Sequence, residues 1–281
     1  MGDADGVGAG DGAAEERSPR ERYLTVFGRQ PVLEALGDPA LVVAQVFVAD
    51  DVEPAVARGI RAAAQAHGVE VKTVNRARVT RLSGTGKQHQ GVAADIETPH
   101  RSSLESWLEQ LPAAGPPIGA VLLDGVTTPA NVGMIIRVAV AAGLHGIVVP
   151  SRGVADIGPL VIKASAGVAF RAPLLRVREA EEAAGLLGQA GFDLVALSAD
   201  AGEDLWSARF APRTALVLGG EHGGLSDAVA TEVTRTVRIP MANNVESLNV
   251  ATAAAVACFE WMRQMGEVSE VSEVSGVSQS R

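Results

Sequence analysis

Residues 239–250 read Ile-Pro-Met-Ala-Asn-Asn-Val-Glu-Ser-Leu-Asn-Val, which sets a hydroxyl (Ser247) and an amide (Asn249) at the head of an apolar run. That run, Leu248 to about Met265, reads as a helix with Ser247 as its N-cap. A helix start carries free backbone N–H groups, so this stretch suits a polar or anionic ligand. Pro240 cannot donate to a sheet ladder, so the β-type run before it ends at Ile239. Taken alone, a buried capped helix is the better account, since Ala251, Ala254, Ala255 and Cys258 have the sizes of close-packed core.

Two more stretches change that balance. The first, Asp124 to Arg137, places Asn131 where a helix would be capped and Arg137 six residues later among Met134, Ile135, Ile136 and Val138. A charge in such company needs a partner, either a structural carboxylate or a phosphate. The second, Gly219-Gly-Glu-His-Gly-Gly224, has four glycines in six residues and sets the Glu221 carboxylate among them. Glycines let backbone lie against a ligand. The spacing does not match the dinucleotide pattern G-x-G-x-x-G, which disfavours NAD.

The elements that must position these groups follow from the pattern of residues 118–265. Strands are read at Ile118–Leu123, Gly146–Val149, Leu194–Leu197, Ala215–Leu218 and Val237–Ile239. Helices are read at about Val132–Ala142, Leu160–Val168, Glu179–Ala190, Asp227–Glu232 and Leu248–Met265. The alternation predicts an α/β fold, a mainly parallel sheet with helices on both faces. All three polar stretches follow strands, at the edge where such sheets bind ligands.

Residues 21–97 read as a small α/β domain, joined by a 98–117 linker that holds one amphipathic helix and a Pro/Gly-rich end. Its loop from Ser83 to Gly91 offers Lys87, Gln88, His89 and Gln90 as donors for phosphates and base edges, with Arg81 just before it. An ordinary surface turn accounts for the loop equally well. Residues 1–20 and 266–281 are expected to be disordered tails.

Composition narrows the classes further. The net charge is −9, which argues against indiscriminate nucleic-acid binding, yet Val71 to Ala94 holds five bases and no acid. The single cysteine excludes a disulfide framework and fits a reducing cytoplasm. No apolar run reaches the ~18–20 residues of a membrane span, and the acidic, Gly-rich start is unlike a secretory leader. The five histidines lack ligand spacing, so no metal is expected.

Together, Asn131-x-Gly133-x-x-x-Arg137, Leu218-Gly-Gly-Glu221-x-x-Gly224-Leu225 and Ile239-Pro-Met-x-x-x-Val245-x-Ser247-Leu-Asn249-Val250 resemble the SpoU (TrmH) family of RNA ribose 2′-O-methyltransferases, of the SPOUT superfamily. Lys163-Ala-Ser165-Ala-Gly167 fits a softer feature of that family, and residues 22–97 resemble the ribosomal-protein-like RNA-recruiting domain of its rRNA members. The resemblance implies a deep trefoil knot, S-adenosylmethionine as cofactor, and a homodimer with the site near its interface. It implies Asn131, Arg137, Glu221, Ser247 and Asn249 as catalytic and substrate residues, Gly219, Ile239, Leu248 and Ser198 against the cofactor, and Arg81, Lys87, Gln88 and His89 toward RNA. Arginine makes a poor base because its guanidinium stays protonated, so Arg137 is expected to clamp a phosphate. The implied reaction is methylation of an RNA ribose, with 23S rRNA favoured and a resistance role open. The alternatives are a tRNA substrate and a non-catalytic ribosome-assembly protein. Thr127-Thr-Pro-Ala130 departs from the Asp-Pro usual in relatives, which bears on the target more than on the reaction.

Overall fold

The strand Ile118–Leu123 is buried at every position, as a strand covered on both faces must be. It sits at the middle of a seven-stranded sheet in which every pairing is parallel. The computed structural model describes residues 23–39, 41–83, 89–98, 102–221, 223–243 and 245–277. In chain order the strands are β1 (Tyr23–Phe27), β2 (Val43–Ala49), β3 (Val71–Val74), β4 (Val92–Glu97), β5 (Ser102–Ser103), β6 (Ile118–Leu123), β7 (Gly146–Pro150), β8 (Leu174–Val177), β9 (Asp193–Leu197), β10 (Arg213–Leu218) and β11 (Arg235–Val237). The helices are α1 (Arg29–Gly37), α2 (Pro54–Ala66), α3 (Arg76–Ser83), α4 (Leu104–Glu109), α5 (Pro129–Ala141), α6 (Pro159–Ala164), α7 (Ala180–Gln189), α8 (Asp227–Glu232) and α9 (Val250–Val277).

The large sheet has the order β11-β9-β10-β6-β7-β8-β5, and the small one β1-β4-β2-β3. One face of the large sheet packs on α5 and α9 through Ile135, Ile136, Ala254, Cys258 and Trp261. The other packs on α4 and α7 through Leu104, Ala183, Ala184 and Leu187. Burial pushes the Cys258 thiol up to about 12, which keeps it an inert core group.

Several expected boundaries move. The 98–117 stretch is no free connection: β5 pairs with β8, and Leu104 is buried in the core beneath α7. The helix expected over 160–168 stops at Ala164, because Ala166 and Gly167 take left-handed φ of 50° and 79° and a single 3-10 turn follows. The last strand ends two residues early; Arg238 leaves the ladder and bridges to Asp204. The last helix runs on to Val277, past the expected end at Met265. β1, β5 and β8 had no clear sequence signal.

The two units share apolar surface. Phe170, from the 3-10 turn of the large unit, is 5% exposed and packs in the core formed by α1, α2 and the small sheet, with Ile157 and Ile162 beside it. The small unit therefore docks on the large one through side chains as well as through the connecting chain.

Candidate active site

Four loops leave the carboxyl ends of the neighbouring strands β11, β9, β10 and β6, and their residues build the site. After β11, at the sheet edge, the chain comes back across the strand ends and enters α9 beside the β6 and β10 loops. That return brings residues far apart in sequence into contact.

Asn131 lies in the first turn of α5 and is 3% exposed. Its Nδ2 donates to Glu221 Oε1 in a short hydrogen bond. Asn249 Nδ2 donates to the same Glu221 oxygen at 3.1 Å and to Asn131 Oδ1 at 3.1 Å. The Thr128 hydroxyl approaches the other carboxylate oxygen of Glu221 at 3.4 Å. Two amides and a carboxylate from three loops thus form one closed network, with the hydroxyl at its edge.

Asn249 is also the N-cap of α9, in place of the expected Ser247. Its Oδ1 accepts from the Ala251 N–H at 2.9 Å and the Thr252 N–H at 3.4 Å, the bonds an N-cap makes. The correction has a functional side: Ser247 is exposed and free to face a ligand. It lines the junction of two clefts.

The first cleft, of about 500 Å³, is walled by Leu197, Ser198, Ile239, Pro240, Met241 and Leu248. The second, of about 510 Å³, runs from Leu197 and Leu248 past Gly219 to Glu221 and Asn249. Mixed apolar and polar walls, at this size, suit a nucleoside-sized ligand. Leu197, Ser247 and Leu248 line both clefts, and Glu221 and Asn249 of the polar network line the second. Gly219 and Gly220 are required here. A Cβ at Gly219 would stand 2.4 Å from the Gly224 carbonyl carbon, and one at Gly220 would stand 2.4 Å from the Gly125 carbonyl oxygen.

Three groups at the site gave no distinctive signal in the sequence: Thr128, Asp124 and Arg238. Asp124 is buried at the end of β6, and its Oδ2 accepts from the Ser226 N–H at 2.7 Å, which fixes the glycine-rich loop. Arg238, at the wall of the first cleft, is held by Asp204 at 2.5 Å.

Arg137 is not brought into the network. It lies six residues beyond Asn131 on α5, about 240° around the helix and about 9 Å along it. It is exposed, on the same stripe as exposed Met134, and no hydrogen bond or ion pair joins it to Glu221, Asn131 or Asn249. Of the residues expected to meet RNA, Arg81 is exposed in the last turn of α3, while Lys87 and Gln88 lie outside the described residues. His89 does not fit that role, because it is fully buried. Its Nδ1 accepts from the Gly91 N–H at 2.9 Å and its Nε2 lies 3.1 Å from the Thr80 hydroxyl, so it ties the loop to α3. Among the described residues no group of His, Cys, Asp and Glu could hold a metal ion.

Residues 119–259 match the model of the SpoU rRNA Methylase family, and residues 25–102 match RNA 2′-O ribose methyltransferase substrate binding. The chain belongs to the SpoU methylase family. It is an S-adenosylmethionine-dependent RNA 2′-O-methyltransferase. A 23S rRNA (guanosine-2′-O-)-methyltransferase RlmB of Ralstonia nicotianae is 36% identical over 203 residues, 72% of this chain and 80% of that protein. RlmB of Escherichia coli K12 is 33% identical over 202 residues, 72% of this chain and 82% of that protein. Among solved structures, the SpoU methyltransferase AviRb from Streptomyces viridochromogenes, in complex with AdoMet, superposes with a TM-score of 0.60 at 28% identity. It covers 87% of this chain and 91% of its own. An AdoMet-bound rRNA methyltransferase from Sinorhizobium meliloti gives 0.59 at 27% identity, over 87% of this chain and 88% of its own. As a SpoU methylase the chain has a small substrate-binding domain ahead of its parallel-sheet catalytic domain.

Proposed function

We propose that this SpoU methylase acts on a guanosine ribose of 23S rRNA, as a homodimer, in the cytoplasm. The observation that carries the reading is the closed Asn131–Glu221–Asn249 network, whose Glu221 and Asn249 line the cleft adjoining the proposed cofactor cleft beside Ser198, Ile239 and Leu248. The RlmB relatives, matched over four-fifths of their length, support the choice of RNA.

When bound, the cofactor supplies an electrophilic methyl group. The rest is positioning, which supplies much of the rate in an in-line displacement. The Glu221 carboxylate and the two amides offer acceptors and donors for the hydroxyls of a ribose, and the Ser247 hydroxyl stands at the cleft junction beside them. The amide of Asn249 is fixed from behind by its capping oxygen, so the ribose meets groups already in place.

Arg137 supports the dimer. It cannot serve the network of its own chain without leaving its stripe of α5. Met134 on that stripe is 39% exposed, and Phe259 and Met262 on α9 are 44% and 43% exposed. The two helices pack together, so these exposed apolar residues lie on neighbouring helices. A second copy covering that stripe would carry its Arg137 to a neighbouring phosphate.

Mapping ribose methylation on rRNA and tRNA from strains with and without the gene tests the reading. One methylated guanosine of 23S rRNA should disappear with the gene. Loss from a tRNA instead would overturn the choice of RNA. Antibiotic susceptibility of the same two strains separates a resistance role from a housekeeping one.

A further inference from the structure

One side of the catalytic domain runs against the charge of the whole chain. The net charge is −9, yet residues 150–179 hold five bases and two acids. Two of those bases stand together at the site's edge of the sheet. Arg152 and Arg178 follow the adjacent parallel strands β7 and β8. The Ser151 N–H donates to the Val177 carbonyl at 3.0 Å and the Arg152 N–H to the Arg178 carbonyl at 3.2 Å, which holds the two arginines side by side.

They share one carboxylate. Glu179 Oε1 lies 2.8 Å from Arg152 Nη1 and 3.8 Å from Arg178 Nε. Two guanidinium groups against one acid leave a net positive charge. The arginine side chains are 60% and 68% exposed, and exposed ion pairs add little to stability. Fold stability therefore does not account for the cluster.

Its place in the molecule does. The Ala155 N–H donates to the Val126 carbonyl at 3.1 Å, so the loop that starts at Arg152 lies directly against the loop carrying Thr127 and Thr128. The Thr128 hydroxyl in turn approaches Glu221. Three residues separate Arg152 from Ala155, at most about 11 Å of extended chain. The arginine pair is therefore within a few nucleotides of the ribose site, on the β7–β8 side, away from the cofactor cleft beside β9 and β11.

We infer that Arg152 and Arg178 form a phosphate-binding subsite for the RNA strand that flanks the methylated nucleotide. The inference rests on the proposed RNA substrate and gives its backbone a path across the catalytic domain. A planar guanidinium matches phosphate geometry, and two of them in register can take one phosphate or two successive ones. Glu179 holds both forks in place and tempers their charge.

The test compares the wild type with Arg152→Gln/Arg178→Gln and with Glu179→Gln, using protein-free 23S rRNA and S-adenosylmethionine. The double variant should raise the KM for RNA about tenfold, with kcat within about twofold and cofactor affinity by calorimetry unchanged. The log–log salt dependence of its RNA binding should be shallower by about 1.4, for two phosphates lost from a single strand. Glu179→Gln should bind RNA more tightly. An unchanged KM and salt slope in the double variant, or an equal loss of cofactor affinity, would overturn the subsite. Absence of transfer by the wild type would instead overturn the choice of 23S rRNA, and the salt slopes of binding would still decide the subsite.

Discussion

The Asn249 amide nitrogen lies 3.1 Å from Glu221 Oε1, while the oxygen of the same amide caps α9 at 2.9 Å from the Ala251 N–H. One side chain thereby joins the start of a core helix to the carboxylate of the glycine-rich loop. The helix beneath is anchored by Trp261 and by Gln264, whose Nε2 donates to the Ala208 carbonyl at 2.9 Å. The position of the proposed ribose site is in this way set by the packing of the domain.

That double role can be split. Serine is also a good N-cap but has no amide to offer Glu221. Asn249→Ser should therefore keep thermal stability within about 1 kcal/mol of the wild type. Turnover should fall on the order of 10²-fold, as when one preorganised donor is removed. Near-normal turnover in a stable Asn249→Ser protein would remove the amide from the site.

The glycine-rich loop gives a second expectation. A methyl group at Gly219 would meet the Gly224 backbone at 2.4 Å, so the loop must move. Gly219→Ala should weaken cofactor binding by about tenfold or more, roughly 1.4 kcal/mol, by calorimetry. Unaltered affinity would place the cofactor elsewhere.

The separation of Arg137 from the network predicts complementation. Arg137→Ala and Glu221→Gln should each be inactive alone. If Arg137 serves the partner's site, unfolding and refolding the two together should restore about a quarter of wild-type activity. Half of randomly paired dimers are mixed, and each mixed dimer has one intact site. Failure of the mixture to recover would return Arg137 to its own chain or exclude it from catalysis.

His145 offers a pH test that does not touch the site. Although the residue is exposed, partial desolvation of its ring holds the imidazole below the usual histidine range; Nδ1 accepts from the Gly119 N–H at 3.2 Å, and the ring packs edge-on against Trp261. The unfolded chain then binds the proton more readily than the folded one. Its contribution to stability is present above about pH 6.5 and is lost as pH falls below that. His145→Asn keeps an acceptor but cannot be protonated. Its Tm should change less between about pH 7.5 and about pH 5.5 than that of the wild type, by scanning calorimetry. Equal changes in both proteins would exclude His145 from the acid response.

The sequence made the catalytic loops legible because their polar residues interrupt apolar strands and helices at fixed spacing. Asn131, Glu221 and Asn249 stand out for that reason, and the structure joins them. What pairs with them across space had no such marker. Thr128 and Asp124 read as ordinary loop residues until the folded chain brings Glu221 and Ser226 against them. Ser247 outranked Asn249 as a cap because both residue types cap well and only the backbone path decides between them. His89 read as an RNA donor because a polar loop surrounds it, yet both its ring nitrogens are engaged within its own domain. Strands β5 and β8 have two and four residues, too few to show a period.

The most direct test of the central claim is nucleoside mass spectrometry of protein-free 23S rRNA after incubation with the protein and S-adenosylmethionine bearing a deuterated methyl group. The label should appear in 2′-O-methylguanosine with the wild type and vanish with Glu221→Gln. Label in a base-methylated nucleoside, or equal labelling by the Glu221→Gln variant, would contradict a ribose site built on the Asn131–Glu221–Asn249 network.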